Sequence, residues 1–340
     1  MTGPDQLLAQ LRSFSARIGA DTRRTQAAGG NTSLKHHGTL WIKASGTWLS
    51  QALETDIFVP VKLAPLREAL AMNDPRAEKS IDFIDDTLNS RNLRPSIETS
   101  VHAAIDWPVV AHIHCVDTLS FAIQRDGTAQ IAARLASDED IRWVTIPYFR
   151  PGLPLYKAIA ERTKPDINVY ILQNHGLIVA GATVAEVENR LERVCNALKV
   201  QPRPMPEPNL DRLRQQIEGT DYRLPAHWEA HALALDPISR TLALGGSLYP
   251  DHVIFLGPGV VETAVIPPAS TQPMLMLPDG IVLRRSATAA ADAMAKCLAD
   301  VLARVPAGSH LMRLTAAQDD ELTHWEAEKY RQTLNLTAQP

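Results

Sequence analysis

Two histidines, His112 and His114, stand one residue apart in VVAHIHCVDTLSFA, directly after the apolar run Val109, Val110 and Ala111. In a β-strand, side chains at i and i+2 leave the same face, with Cα atoms about 6.5 Å apart. Two imidazoles so placed can converge on one metal ion, or each can bond a carbonyl or water at a strand end. A catalytic divalent metal needs a third protein ligand and an open position. His175, in NVYILQNHGLIVAG, ends an apolar run where a strand leaves the core, and Gly176 after it permits a sharp turn. Ordinary hydrogen bonding also accounts for a single histidine there. Glu98, in RPSIETSVHAA, precedes the paired histidines on a Pro-initiated segment. It is a fourth group to set beside the three histidines, or, read alone, a solvated carboxylate at the positive end of a helix dipole. GGNTS at 29–33, ASG at 44–46 and Ser96 offer backbone N–H and hydroxyl donors to a phosphate or carboxylate, and Lys43 adds charge.

The elements that must position these residues alternate between helix and strand. DQLLAQLRSFSARIGA has helical spacing, and two strand-like runs follow within AAGGNTSLKHHGTLWIKASG. The charged segment 76–92 predicts a helix, as does IETSVHAAIDW leading into the strand of His112. A helix or loop near 128–137, the strand RWVTIPYF, a helix after PGLP and the strands INVYILQNHG and GLIVAG come next. TVAEVENRLERVCNAL is an amphipathic helix with Thr183 and Glu186 at capping-box spacing. Such alternation predicts a layered α/β domain over 1–200. QPRPMPEPNL, with four prolines in ten residues, reads as a semi-rigid linker at 201–210. Residues 211–340 read as a smaller α/β domain: helices at RLRQQI and 227–234, strands at HVIFLG, AVIPP, MLMLPDG and IVLRR, then helices at TAAADAMAKCLADVLARV and LTHWEAEKYRQTL.

With 45% apolar and 21% charged residues, the 340-residue chain is ordinary for a globular protein with a substantial core. Its net charge of −4 gives no reason to expect nucleic acid or an anionic membrane as partner. No segment approaches 18 uninterrupted apolar residues, and MTGPDQLLAQLRSF lacks a signal-peptide core, so a cytoplasmic protein is expected. The three cysteines form neither a disulfide framework nor a CxxC site. Cys115 should point away from the face of His114. His36 and His37 read as turn residues, Asp251 and His252 as a polar pair at the start of a strand. In HWEAH the glutamate is misplaced for H-E-x-x-H, which removes a zincin reading.

Taken in order, GGNTS, KASG, P-S-x-E, H-x-H and N-H-G-L-x-V-x-G resemble the class II aldolase/adducin family over about residues 5–200. GGNTSLK and LWIKASGTWL are most similar to its longer branch, which includes the rhamnulose-phosphate aldolase-like proteins. The resemblance implies a three-layer α/β/α domain, with the C-terminal unit similar to a small extra domain of that branch. It implies that His112, His114 and His175 coordinate Zn²⁺ or another divalent metal and that Glu98 is the acid–base group. Gly30, Asn31, Ser45, Gly46 and Ser96 would hold the substrate anion, with Lys43 and Tyr148 as further candidates. A homotetramer acting on a small-molecule substrate is implied as well.

The implied reaction cleaves a C–C bond beside a ketone through an enediolate, whose developing charge a Lewis-acidic metal stabilises by several kcal/mol. Tyr148 either protonates the departing aldehyde oxygen or packs as a strand aromatic. One departure stands out: the sugar-phosphate aldolases of this family read P-S-S-E or similar, whereas Ile97 fills the second position here. The loss of one hydroxyl points to a differently held phosphate, or to a carboxylate. A decarboxylase, an epimerase and a metal-free adducin-like binding module are the family's alternatives.

Overall fold

The computed structural model describes residues 4–325. Its strands are β1 (Asn31–His36), β2 (Thr39–Lys43), β3 (Phe58–Lys62), β4 (Val109–Ile113), β5 (Trp143–Ile146), β6 (Val169–Leu172), β7 (Gly176–Gly181), β8 (Tyr222–Arg223), β9 (Val261–Glu262), β10 (Met274–Leu277) and β11 (Gly280–Arg284). The helices are α1 (Pro4–Ala20), α2 (Leu63–Ala71), α3 (Thr99–Ala104), α4 (Val116–Ala122), α5 (Gly127–Leu135), α6 (Leu153–Ala160) and α7 (Val184–Ala197). After them come α8 (Leu210–Ile217), α9 (Ala232–Leu235), α10 (Pro237–Ala243), α11 (Pro250–Leu256), α12 (Ala289–Leu302) and α13 (Ala316–His324). Among the described residues, no helix is long and apolar enough to cross a membrane.

The chain divides into two compact units: residues up to Cys115 with Ala132–Leu198, and Val116–Ile131 with residues from Lys199 onward. In the first, β1 to β7 form one sheet in the order β3-β2-β1-β4-β7-β6-β5. Only β5 and β6 run parallel; the other neighbours are antiparallel. Alternation along β1 reveals the layers. Thr32 Oγ1 meets Ser15 Oγ of α1 at 2.7 Å, while the next residue, Ser33, meets His102 of α3 at 2.7 Å. Helices α1 and α3 therefore cover opposite faces. Helix α7 packs on the α1 side and α6 on the α3 side, completing the α/β/α sandwich. All five positions of β4 are buried, because both its faces are covered. On the α3 side, Val110, Tyr170 and Ile178 pack on Val101, Ile105, Leu155 and Ile159. Each such aliphatic side chain contributes about 1.5–3 kcal/mol.

The second unit has a four-stranded sheet, β8-β11-β10-β9. Residues 116–131, expected within the first domain, belong to this unit. Helix α4 is buried at every position, and Asp117 Oδ1 accepts from Arg304 Nε and from the Val200 N–H, each at 3.0 Å. The Pro-rich stretch at 201–210 is anchored too: Arg203 pairs with Asp236 at 2.7 Å, and its N–H donates to Ala303 O at 2.9 Å.

Several expected elements take other forms. HVIFLG is not a strand but most of α11, which starts with Pro250 at its first turn and stops at Gly257, whose φ is 87°. Asp251 and His252 thus lie within a helix, not at the start of a strand. AVIPP is irregular, and the segment 76–92 holds two short 3₁₀ turns, Pro75–Glu78 and Ser80–Phe83, in place of a helix. The segment 227–234 is a 3₁₀ turn, Trp228–His231, running into α9. Of the last predicted helix, residues 322–324 form the end of α13, Trp325 is extended, and residues 326–334 lie outside the described residues.

Candidate metal centre

Strand register brings the predicted residues to one end of the seven-stranded sheet. Antiparallel pairing sets Asn31 of β1 opposite His112 of β4, and His112 opposite Ile178 of β7. His114, two residues on, shares the His112 face, and His175 sits in the turn that enters β7. The turn is tight because Asn174 adopts φ 52° and Gly176 has no side chain. A Cβ on Gly176 would lie 2.5 Å from Ile113 O and 3.1 Å from the rings of both His112 and His114. Gly30 does the same on the other side: its φ is 70°, and a Cβ there would lie 2.8 Å from His112 O. Both glycines let the neighbouring backbone close on the histidine strand.

The imidazoles converge. One nitrogen from each of His112, His114 and His175 lies within 4.8 Å of the others, and all three residues are buried. Nε2 of His112 and Nε2 of His114 are 3.1 Å apart. A tetrahedral ion with bonds of about 2.0–2.1 Å spaces its ligands about 3.4 Å apart, so this separation suits a shared ion. His112 Nδ1 donates to Leu177 O at 3.1 Å, which leaves Nε2 with its lone pair directed at the cluster. Three neutral nitrogen donors are a fitting set for a divalent metal.

Glu98 spans the same point. Its Oε2 is 3.5 Å from His112 Nε2 and its Oε1 is 3.4 Å from His175 Nε2. Burial alone would push this carboxyl up. Positive charge on the adjacent rings of His112 and His175, where they carry it, outweighs that effect together with the Asn31 amide and brings it down to about 2. Glu98 is therefore no solvated helix-start group; it is 6% exposed and held by Asn31 Nδ2 at 2.8 Å.

The glycine- and serine-bearing turns gather beside this carboxylate. Ala44 bridges Pro95, Ser45 N–H donates to Arg94 O at 2.9 Å, and Ser96 N–H donates to Lys43 O at 3.0 Å. Ser45 and Gly46 thereby come alongside Ser96. Ser96 Oγ accepts from Asn31 Nδ2 and from the Glu98 N–H, both at 3.2 Å. Lys43 is buried, and its Nζ donates to Ala28 O at 3.0 Å, tying down the loop that precedes Asn31. Tyr148 is half-buried and lies past the end of β5, not within a strand; Gln173 N–H donates to Ile146 O at 2.9 Å and draws that segment alongside the turn of His175. Cys115 turns to the opposite face, its Sγ 3.9 Å from Cys195 Sγ of α7.

One participant escaped the sequence reading. His102 is fully buried between Ser33, quoted only as part of an anion-binding turn, and Asn31, expected to hold the substrate anion. The signal lay in a combination of periods: Glu98 and His102 are one helical turn apart, and Asn31 and Ser33 share a strand face.

The Class II Aldolase and Adducin N-terminal domain model matches residues 14–202. Over 178 residues the chain is 31% identical to "Uncharacterized oxidoreductase YuxG" of Bacillus subtilis (strain 168), covering 49% of this chain. The matched part spans 25% of that relative's length. The N-terminal class II aldolase domain of a conserved Thermoplasma acidophilum protein is 26% identical, with a TM-score of 0.49 over 58% of this chain and 94% of that one. A sugar-phosphate aldolase from Thermotoga maritima is 14% identical, with a TM-score of 0.46 over 57% and 92%. The family match covers more than half of the chain and includes the histidine cluster, Glu98 and the turns around them, and it shows that the chain belongs to the class II aldolase and adducin family.

Proposed function

We propose that this protein is a metal-dependent class II aldolase, an aldehyde-lyase that cleaves a small sugar phosphate or related hydroxy-carbonyl compound in the cytoplasm. The observation that carries the reading is the meeting of three buried imidazoles with a buried carboxylate at one point. In it, His112, His114 and His175 hold Zn²⁺ or another divalent cation. That cation supplies Lewis-acid stabilisation of the negative charge that develops on a ketone oxygen as the C–C bond breaks.

Glu98 moves the proton. As a carboxylate held by Asn31 Nδ2, it accepts a proton from the substrate and returns it to the carbon left after cleavage. Asn31 restrains its Oε2, and Gly30, Ser45, Gly46 and Ser96 orient the substrate's anionic end through hydroxyl and backbone donors, with Lys43 behind them. Tyr148 is the candidate hydrogen-bond partner of the aldehyde oxygen, giving its proton to that oxygen only in the reverse, bond-forming direction. Ile97, half-buried next to Ser96, favours a second reading in which the anion is a carboxylate and CO₂ is the leaving group. The catalytic role is assigned to residues 1–200, and a homotetramer is proposed for the assembly.

The test is a retro-aldol screen of ketose phosphates with added Zn²⁺, run on the wild type and on Glu98→Gln. Aldehyde release by the wild type, lost in Glu98→Gln at unchanged zinc content, is expected. Release of CO₂ from a keto acid instead would favour the decarboxylase, and a protein that binds no metal would leave only an adducin-like role.

A further inference from the structure

Glu98 immediately precedes α3, and His102 follows one turn later, its N–H donating to Glu98 O at 3.2 Å. Asn31 and Ser33, at i and i+2 on β1, face this turn. The four side chains interlock in a line. Ser33 Oγ lies 2.7 Å from His102 Nδ1, His102 Nε2 contacts Asn31 Oδ1, and Asn31 Nδ2 donates to Glu98 Oε2 at 2.8 Å. All four residues are buried.

Polarity runs one way along this line. Asn31 Nδ2 donates to both Glu98 Oε2 and Ser96 Oγ, so the amide presents its NH₂ to the carboxylate and its carbonyl oxygen to His102. That oxygen only accepts in turn, so His102 Nε2 carries the hydrogen. In a neutral ring Nδ1 is then the bare nitrogen, and the Ser33 hydroxyl donates to it. Rotating the Asn31 amide by half a turn would set its oxygen against the carboxylate and its NH₂ against the Nε2–H. Both contacts would be repulsive. Burial is the main reason a second proton on the ring is disfavoured, and Lys35, whose Nζ donates to Trp107 O at 2.9 Å, adds to it when charged.

We propose that His102 is a positioning residue for Glu98: a neutral Nε2–H imidazole, oriented by Ser33, that locks the Asn31 amide so that it donates to the carboxylate. The proposal rests on the reading of Glu98 as the acid–base group. His102 acts through Asn31, setting the direction of the amide that does the holding. Groups that orient a reacting side chain in this way change activity about 10- to 100-fold when removed.

Two measurements test it. The first is ¹⁵N NMR of histidine-labelled, zinc-loaded protein at pH 7, with the His102 signals identified by their loss in His102→Gln. The Nε2–H tautomer with a bare Nδ1 is expected, and Ser33→Ala should shift the Nδ1 signal. An Nδ1–H tautomer, or a doubly protonated ring, overturns the proposal. The second is the retro-aldol assay. His102→Leu should lower kcat about 10- to 100-fold with KM and zinc content held within about threefold, whereas His102→Gln, which restores a donor near Nε2, should recover to within about fivefold of wild type. Equal losses in both variants, or a loss confined to zinc binding, would overturn the positioning role. A wild type that cleaves no ketose phosphate would remove the aldolase reading alone, and the tautomer would then decide the lock by itself.

Discussion

Gly176→Ala probes how closely the strand after His175 must approach the paired histidines. The new methyl would lie 2.5 Å from the carbonyl oxygen of Ile113, a backbone atom at the end of the central strand β4, and 3.1 Å from two imidazole carbons. To reach ordinary contact at 3.4 Å, β4 and β7 must part by about 0.9 Å at that point. Overpacking of this kind costs about 1–3 kcal/mol. With about 2–4 °C of melting temperature per kcal/mol for a domain of this size, the expected drop is about 2–12 °C. His175 moves with the strand, so zinc affinity should fall about 10- to 100-fold in a competition titration against a chromophoric chelator. Gly181→Ala is the control at the far end of β7, where a Cβ meets the end of the Arg190 side chain at 2.8 Å. Any adjustment there falls on Arg190 and its partners Ala180 O and Glu186, away from the histidines, so zinc affinity should stay at the wild-type value. A Gly176→Ala protein that melts within about 1 °C of wild type and binds zinc equally well would refute the tight-turn reasoning. So would an equal loss of zinc in both variants.

Two more predictions concern the second unit. His252 is fully buried; its Nδ1 accepts the Leu248 N–H at 3.3 Å, its Nε2 bonds Gly259 O at 3.2 Å, and burial pushes the ring down to about 4. As the pH falls, the unfolded chain takes up this proton first, so stability is fully present above pH ~6.5 and is lost as the pH falls toward 4, by up to about 3 kcal/mol. Urea unfolding at pH 7.5 and 4.5 should show the loss, and His252→Leu should narrow the gap between the two values; an unchanged gap would contradict it. Asp117→Ala takes the nearer of two carboxylates from the buried Arg304 guanidinium, which keeps Asp300 at 3.4 Å, and removes the acceptor of the Val200 N–H. A loss of about 3 kcal/mol is expected in the same assay, and a change below about 1 kcal/mol would show that the pair is not needed.

The histidine pair was legible because a strand repeats every two residues and its flanks, Val109 to Ala111, are apolar without interruption. His175 was legible for a related reason: an apolar run that ends in Asn-His-Gly marks a turn. His102 was not, because its partners come from a strand and a helix that meet only in the folded chain. A helical i, i+4 pair answering a strand i, i+2 pair has no continuous trace in the sequence. HVIFLG shows a different limit. A short apolar run fits a buried strand or a buried helix equally, and periodicity alone does not separate them. Pro250 and Gly257, at helix-start and helix-stop positions, were the deciding residues. Residues 116–131 follow the strand that carries His112 yet belong to the second unit, a crossing that composition at 201–210 could not reveal.

Anomalous diffraction at the zinc edge, on crystals of the full chain grown with Zn²⁺, tests the central claim most directly. A single peak about 2.0–2.1 Å from one nitrogen each of His112, His114 and His175, next to the Glu98 carboxylate, is the predicted result. No peak among the three rings, or a zinc ion bound through other residues while these imidazoles bond only to one another, would contradict it.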